Sequence, residues 1–369
     1  MRIASYNVEN MFERAKALNL PTRQAGRPTL ERHARINTLL NEPVYGPAEK
    51  AEIITLLTEL GLAKKDDGGK FAQLRQNRGH LLRRPRGGGV EIIADGRDAW
   101  VGWVELKTEP VNETATRHTA MVIRDIDADV LGVIEAENRI ALKNFSSILL
   151  KQAGADPYAH VMAIDGNDDR GIDVGLLTKG PWEIVSIRSH VDDDPGAQIF
   201  SRDCPEFTLQ TTSGNRLVVL VNHFKSKGFG PPKQSNAKRA LQADRVASIV
   251  KRLQDEGEEN VVVLGDLNDT PDSAPLAPLF AGTGLRDIST HPKFTDDGRP
   301  GTYANGTKGN KIDYVLLSPA LFANVTGGAI FRMGVWGGKN GTLFEHYATM
   351  KRATHAASDH AAIYADIDI

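Results

Sequence analysis

Several short apolar runs of this sequence end at, or directly follow, side chains that can hold a metal ion or move a proton. The members of this set are Asn7, Glu135, His223, Asp266, Asn268, Asp313, Asp359 and His360. They are oxygen ligands with two imidazoles, a combination that suits Mg²⁺, Mn²⁺ or Ca²⁺ rather than structural zinc. Around such an ion, a carboxylate or an imidazole can move protons while the ion polarises a phosphoryl oxygen. The pattern therefore favours a centre that hydrolyses phosphoesters.

The apolar runs that must position these side chains have the character of buried strands. Each contains four to eight β-rich residues bounded by polar ones. The predicted strands cover residues 3–8, 129–134, 174–177, 217–221, 261–264, 314–317 and 361–365. Helical patterns between them cover residues 116–127, 141–150 and 237–254. Strands and helices alternate, and short turns join several strand pairs, so we predict an α/β fold with mixed sheets.

Residues 13–115 have a different pattern and separate the first strand from the helix near residue 116. Two predicted helices, 30–40 and 48–60, come first. A basic run follows over 64–86, with eight Lys and Arg against two Asp, and it is either a solvated loop or a phosphate-binding surface. Residues 90–104 place an Asp-Gly pair between β-rich arms, which predicts a hairpin. We expect one catalytic domain, 1–369, with an inserted elaboration at 13–115.

Composition narrows the class of protein without selecting a substrate. Of the 369 residues, 40% are hydrophobic and 25% charged, which excludes a mainly disordered chain. The net charge is −2, so any surface that attracts nucleic acid must be local. Cys204 is the single cysteine, which excludes an internal disulfide framework. We find no bilayer-spanning run and no signal-like start, so we expect a cytoplasmic protein, or a secreted one if a leader was removed. We also expect no obligate protein partner.

Six motifs, in order along almost the whole chain, resemble those of the endonuclease/exonuclease/phosphatase superfamily. This group includes pancreatic-type deoxyribonuclease, abasic-site endonucleases, sphingomyelinases and inositol-polyphosphate phosphatases. The motifs are IASYNVEN at 3–10, DVLGVIE at 129–135, NHF at 222–224, GDLN at 265–268, KIDY at 311–314 and SDH at 358–360. The run NHFKSK at 222–227 is closest to a bacterial nuclease branch. The resemblance implies a four-layer α/β sandwich, in which two mixed β-sheets pack face to face with helices outside.

The resemblance also implies which residues hold the metal. Glu135 would be the main carboxylate ligand, with Asn7 beside it. Asp359 would be a further ligand or a support for the site. A second acid, Glu137, lies two residues after Glu135, so either acid can be the ligand, although the register of the motif favours Glu135.

The same resemblance implies that a second group of residues transfers protons and orients the phosphate. Asp266 would activate or orient the attacking water, and Asn268 would orient that water or the phosphate. His360, oriented by Asp313, would contact the scissile phosphate or transfer a proton. His223 would be the second imidazole of the site.

Four further residues are predicted to bind the substrate. Asp173 is expected to orient His223 or to contact the substrate, and Asn222 precedes that histidine directly. Arg170 and Lys225 are cations able to hold phosphate oxygens.

The function predicted from the sequence is hydrolysis of nucleic acid by a divalent-metal phosphodiesterase, with DNA as the expected substrate of an endonuclease or exonuclease. Mg²⁺ is the expected cofactor, with Mn²⁺ or Ca²⁺ as alternatives. Local basic stretches at 64–86 and 224–239 favour a nucleic-acid substrate. The alternative is a phosphatase or phosphodiesterase acting on a lipid headgroup, an inositol phosphate or a small phosphoester. A non-catalytic binding module is a third class, disfavoured because the proton-handling positions are intact.

Overall fold

The computed structural model describes residues 1–20, 23–168, 170–191, 198–228 and 230–369. These residues form two compact units. The first consists of residues 1–12, 111–227 and 231–369, and the second of residues 13–110 with 228–230. The second unit covers most of the stretch that stood apart in the sequence.

The strands of the described residues are numbered in chain order. They are β1 (Arg2–Asn7), β2 (Glu13–Ala15), β3 (Ala72–Arg78), β4 (Leu82–Arg83), β5 (Glu91–Ile92), β6 (Val101–Leu106), β7 (Thr108–Pro110), β8 (Val130–Ala136), β9 (His160–Ile164), β10 (Asp173–Thr178), β11 (Glu183–Arg188), β12 (Glu206–Gln210), β13 (Arg216–His223), β14 (Val261–Asp266), β15 (Arg286–Asp287), β16 (Asp313–Leu317), β17 (Val325–Phe331) and β18 (Ala362–Ile367). All seven predicted strands are among them, with ends shifted by at most two residues.

Helices connect many of these strands. They are α1 (Arg23–Leu40), α2 (Pro47–Glu59), α3 (Glu113–Ile126), α4 (Arg139–Asn144), α5 (Pro232–Asp255), α6 (Ala277–Ala281) and α7 (Pro319–Ala323), with a π-helical turn over Phe145–Leu150 and short 3₁₀ turns at Arg97–Ala99, Ala274–Leu276, Ile288–Thr290, Lys308–Asn310 and Ala353–His355. The five predicted helices are all present. The helix predicted at 141–150 divides into α4 and the π-helical turn.

Two mixed six-stranded sheets form the centre of the first unit. Their strand orders are β17-β18-β1-β8-β10-β9 and β11-β12-β13-β14-β16-β15. Each sheet has one parallel pair at its middle, β1 with β8 and β13 with β14, and antiparallel strands on both sides of it. The two sheets thus repeat one arrangement, which brings the carboxyl ends of their parallel pairs into equivalent positions.

Alternating side chains of these strands build three hydrophobic layers, which produces the predicted four-layer sandwich. In β14, Val262 and Leu264 join a core shared by both sheets, whereas Val261 and Val263 pack with α5 residues such as Val246. On the other sheet, Leu131 packs with residues of α3. Because successive side chains of a strand point to opposite faces, valine- and leucine-rich runs cover both faces at once.

The second unit contains α1, α2 and three small two-stranded pairings. The predicted hairpin over 90–104 is wrong, because β5 pairs with β4 and β6 pairs with β3. The chain instead reverses between β4 and β5, where Gly88 and Gly89 have positive φ. Gly96 is extended and lies too close to the carbonyl of Pro43 for a side chain, so tertiary contact overrides its turn preference. The basic run 64–86 likewise contains β3 and β4 and is not simply a loop.

None of the helices among the described residues is both long enough and apolar enough to cross a lipid bilayer.

Candidate active site

The predicted catalytic residues lie where the central strands of both sheets end. Asn7 is in register with Ile134 at the end of the β1–β8 pair, and Glu135 follows in β8. In the other sheet, His223 lies opposite Asp266. Carboxyl ends of parallel strands meet at one edge of a sheet, which is where α/β proteins commonly bind ligands. The fold therefore brings residues that are far apart in the chain into contact, such as Asn7 and Asp266, which are 259 positions apart.

Antiparallel neighbours of these strands contribute Asp313 and His360 to the same edge. Asp313 begins β16 and pairs in register with Asp266. His360 precedes β18, where its backbone N–H donates to Ser358 Oγ, and that hydroxyl donates to the Asn7 carbonyl at 2.7 Å. The short SDH motif thus joins the start of β18 to the end of β1.

Asp266, Asp313 and His360 form a buried cluster in which the potential ligand atoms lie within 4.8 Å of one another. His360 Nδ1 is 2.9 Å from Asp313 Oδ2, and the Thr302 hydroxyl donates to the same oxygen at 2.6 Å. The Tyr303 ring lies 4.9 Å from the His360 ring. The contact with Asp313 holds the imidazole in one orientation.

The charges of this cluster raise the pKa of both its carboxyl group and its imidazole. Burial, together with the nearby carboxylates of Asp313 and Glu135, raises the pKa of Asp266 to about 7. Burial alone would lower the pKa of His360, but Asp313, with Asp359 and Asp266, holds it well above its ordinary value. The site therefore pairs a carboxyl group whose pKa lies close to neutral pH with an imidazole that favours its charged form.

Asn7, Glu135 and His223 extend the cluster toward the first sheet. Asn7 Nδ2 is 3.4 Å from Asp266 Oδ2. His223 Nε2 lies 3.7 Å from both Glu135 Oε1 and Asp266 Oδ2. The predicted metal ligands Asn7 and Glu135 thus share one oxygen-rich edge with Asp266.

The two acids that competed for the role of metal ligand have different environments. Glu137 Oε1 accepts hydrogen bonds from the backbone N–H groups of Met11 and Phe12 at 2.8 and 2.6 Å. It therefore holds the segment after β1 in place. Glu135 instead lies beside His223 and has a φ of 64°. Such a conformation costs about 1–3 kcal/mol in a residue other than glycine and is concentrated at functional sites. This contrast favours Glu135 as the residue that faces the chemistry.

Other predicted residues lie at the border of the cluster. Asn268 has a φ of 54°, its backbone N–H donates to Asp266 Oδ1 at 2.9 Å, and its side chain donates to the Phe224 carbonyl. Asn222 is fully buried, and its Oδ1 has no partner within the described chain. Asp359 Oδ1 is 3.7 Å from His360 Nε2, and its side chain is 38% exposed.

Asp173 and Lys225 have perturbed proton affinities. Asp173 begins β10 and accepts the Gly166 N–H at 2.8 Å, and burial with Asp165 nearby raises its pKa to about 7. Burial, together with the nearby charges of Arg170 and Arg202, lowers the pKa of Lys225 to about 8. Lys225 thus belongs to a group of cations close to the acid cluster.

A buried guanidinium that sequence reasoning missed completes this group. Arg202 is only 2% exposed, and its Nη2 donates to His223 Nε2 at 2.6 Å. Its Nη1 lies 3.3 Å from Asp168 Oδ2, and the predicted Arg170 donates to both oxygens of that carboxylate. Because arginine donates to His223 Nε2, that nitrogen is an acceptor and the ring proton resides on Nδ1. Asp168 and the two arginines therefore set the tautomer of His223.

Replacing Asp168 by Asn should destabilise the fold by about 3 kcal/mol at neutral pH, because Arg202 is left buried without an anionic partner. Burial would raise the pKa of Asp168, but Arg170 and Arg202 hold it well below its usual range. A depressed pKa contributes stability above the unfolded value of about 4 and loses it as the pH falls. The difference between wild type and variant should thus be full at pH 7 and shrink below about pH 4.

Urea denaturation across this pH range measures the effect, with the exposed Asp156→Asn as the matched control. Equal stability of Asp168→Asn and wild type at pH 7 would contradict the electrostatic role of Asp168.

The donor set fits a divalent cation. Carboxylates of Glu135, Asp266 and Asp313 and the amide of Asn7 are oxygen ligands of the kind that Mg²⁺ and Mn²⁺ prefer. Asp313 Oδ1 is buried without a partner within the described chain, an acceptor that a cation would satisfy.

Comparison with known proteins gives the same class. The chain matches the sequence model of the endonuclease/exonuclease/phosphatase family over residues 97–328. No curated protein sequence matches it significantly. A crystal structure of an endonuclease/exonuclease/phosphatase family protein from Bacteroides thetaiotaomicron is 17% identical, with 68% of this chain and 86% of that chain covered and a TM-score of 0.51. A mannosyl-6-phosphatase from the same organism is 16% identical, with 69% and 92% covered and a TM-score of 0.51.

The protein belongs to the endonuclease/exonuclease/phosphatase family, because the family match spans more than half of the chain. The two structural likenesses show the fold and are consistent with the sandwich described above. Members of the family hydrolyse phosphoesters, and they include nucleases as well as phosphatases.

Proposed function

We propose that the protein is a divalent-metal-dependent phosphodiesterase whose substrate is nucleic acid, with DNA as the first expectation. The observation that carries this proposal is the pairing of a buried acid cluster with cations at one edge of the sandwich. Arg202 donates a hydrogen bond to His223, which is 3.7 Å from Asp266. Arg170 and Arg202 both pair with Asp168. Such cations suit a substrate that remains anionic beside carboxylates.

In this proposal, Glu135 and Asn7 hold the cation, with Asp266, Asp313 and Asp359 within the same oxygen-rich region. When bound, a divalent cation would polarise the phosphoryl oxygens and neutralise charge that develops during the displacement.

Asp266 is the proposed proton acceptor for the attacking water. Its two oxygens are held in place by Asn7 Nδ2 and by the N–H of Asn268, so the carboxylate is oriented before substrate binds. A general base oriented in this way contributes about 10²–10⁴-fold to a rate. The side chain of Asn268 would orient the water or a phosphate oxygen.

His360 is the proposed cation and proton donor on the opposite side of the reaction. Asp313 accepts from its Nδ1, so Nε2 remains the nitrogen that can reach a phosphoryl or leaving-group oxygen. His223 has a different role in this scheme, since Arg202 donates to its Nε2. It would help to position Glu135 and Asp266.

A second candidate is a phosphatase that acts on a small phosphoester, and two observations favour it. The same fold carries a mannosyl-6-phosphatase. The basic runs are also partly neutralised, because Arg83 pairs with Glu91 and both Lys227 and Arg239 pair with Asp269.

A metal-by-substrate activity panel tests the proposal. Supercoiled plasmid, single-stranded DNA, RNA and bis(4-nitrophenyl) phosphate are incubated with purified protein in Mg²⁺, Mn²⁺, Ca²⁺ or EDTA. We expect cleavage of DNA in Mg²⁺ or Mn²⁺ and no reaction in EDTA. Turnover of a sugar phosphate or another small phosphoester, with every nucleic acid left intact, would overturn the nuclease proposal and support the phosphatase.

A further inference from the structure

The second unit carries an exposed two-stranded sheet on which aromatic and cationic side chains lie opposite each other. In the antiparallel β3–β6 pair, Arg75 is in register with Trp103 and Arg78 with Val101. Trp103 is 38% exposed and Val101 46%, whereas the other tryptophan of this unit, Trp100, is buried. We call the outward side formed by Arg75, Arg78, Val101 and Trp103 the ribbon face.

An irregular register explains why both arginines share one side of the sheet. Simple alternation from Arg75 would point Asn77 outward and Arg78 inward, because side chains alternate every residue. The register shifts between Gln76 and Arg78, so one extra residue is accommodated in β3. Arg78 then lies opposite Val101 and is exposed, which returns it to the side of Arg75. Bulges of this kind redirect side chains and often occur beside functional sites.

The inward side of the same sheet packs against the hydrophobic core of the second unit. Ala72, Leu74 and Val104 pack in a hydrophobic cluster that includes residues of α1 and α2. The backbone of Val104 also bonds with His33 and Asn37 of α1, which satisfies the edge of β6. The sheet is therefore anchored from one side, and its outward residues are available to a partner.

Charge indicates what kind of partner fits the ribbon face. Residues 13–110 contain 17 Lys and Arg against 13 Asp and Glu, a net charge of +4 in a chain whose net charge is −2. Arg75 forms an ion pair with Glu105, an acid on the same side of the sheet, through Nε at 2.7 Å, and its two terminal nitrogens have no hydrogen-bond partner within the described residues. Arg78 takes part in no ion pair of the described chain. A cationic, aromatic face is complementary to an anionic polymer that has exposed planar groups.

We propose that the ribbon face binds single-stranded nucleic acid, with a base stacked on Trp103 and neighbouring phosphates held by Arg75 and Arg78. Stacking on an aromatic side chain requires an unpaired base, and flanking cations follow the phosphate backbone. This inference rests on the proposed function and gives the second unit a role in holding the polymer that the first unit cleaves.

Fluorescence anisotropy with the full chain tests the proposal. The probe is a fluorescein-labelled 20-nucleotide oligothymidylate, and EDTA prevents cleavage. We expect Trp103→Ala to weaken binding about tenfold, because the variant loses the ring on which a base stacks. Trp103→Phe, which keeps an aromatic ring, should retain most of the affinity. Binding should also quench tryptophan fluorescence in the wild type and quench it far less in Trp103→Ala.

Salt dependence separates the two kinds of contact on the ribbon face. The double substitution Arg75→Ala/Arg78→Ala should reduce the slope of log K against log salt by about 1.4, since each phosphate contact on a single strand adds about 0.7. Trp103→Ala should leave that slope unchanged. Arg35→Ala, which removes one exposed charge from the α1–α2 side of the unit, is the matched control and should change neither affinity nor slope.

Three results would overturn the inference: no binding of the oligonucleotide by the wild type, wild-type affinity in both ribbon-face variants, or equal loss of duplex and single-stranded binding in Trp103→Ala. Its failure is distinguishable from that of the proposed function. Hydrolysis of bis(4-nitrophenyl) phosphate should be unchanged in all ribbon-face variants, and plasmid cleavage by the wild type is measured separately. A protein that binds the oligonucleotide yet cleaves no nucleic acid would contradict the proposed function alone.

Discussion

Replacing Asp266 by Asn should lower the turnover number about a thousandfold and leave the fold intact. The substitution keeps the size of the side chain and one of the two hydrogen bonds that it accepts from Asn7 and the Asn268 N–H, but it removes the group that accepts a proton. It also removes a carboxyl group from a site crowded by Asp313 and Glu135, so the variant should unfold at the same temperature or a higher one.

Steady-state kinetics with DNA or with bis(4-nitrophenyl) phosphate measure this effect. Asp272→Asn is the matched control, since Asp272 follows on the same loop and its side chain is 67% exposed. A variant at position 266 that retains more than a tenth of the wild-type rate would remove Asp266 from the mechanism.

Replacing His360 by Ala should also reduce turnover by about three orders of magnitude, because it deletes the cation proposed to face the phosphate. Asp313 acts through this imidazole, so Asp313→Ala should have a comparable effect. The double variant should then be little slower than either single variant, as expected for residues that work as one unit.

The corresponding control is His355→Ala, which removes a nearby imidazole outside the acid cluster. Effects of His360→Ala and Asp313→Ala that multiply would show that the two residues act independently. That outcome would contradict the coupling inferred from the 2.9 Å contact between them.

Much of the fold followed from local pattern, because both sheets are covered on both faces. Runs such as 261–264 must be apolar throughout and must stop where the sheet ends, so the polar residue that follows marks the end of a strand. This is why the sequence could place Asp266 and His223 at strand ends. The ordered motifs then related strands that are far apart in the chain.

The parts that escaped prediction depend on contacts between distant segments. Arg202 lies in a connection without periodicity, 21 residues from His223 and 34 from Asp168, so no spacing marks it as part of the site. The register of the motif favoured Glu135 over Glu137, but only the structure shows that the Glu137 carboxylate accepts the backbone N–H groups of Met11 and Phe12. Local chemistry identified which residue types were available, and tertiary packing decided which of them lie together.

The prediction of a hairpin in the second unit was wrong for a related reason. An Asp-Gly pair favours a tight turn only when the flanking strands can pair with each other. Here β5 and β6 have other partners, and the glycine-rich segment between β4 and β5 makes the reversal. Long-range pairing therefore decided the turn.

The most direct test of the central claim is a calorimetric titration of Mn²⁺ into metal-free wild type and into Glu135→Gln, with Asp272→Asn as control. If the strand-end acids form one cation site, wild type and the control should bind Mn²⁺ alike, and Glu135→Gln should bind it at least tenfold more weakly. Identical Mn²⁺ binding by wild type and Glu135→Gln would contradict the site described here.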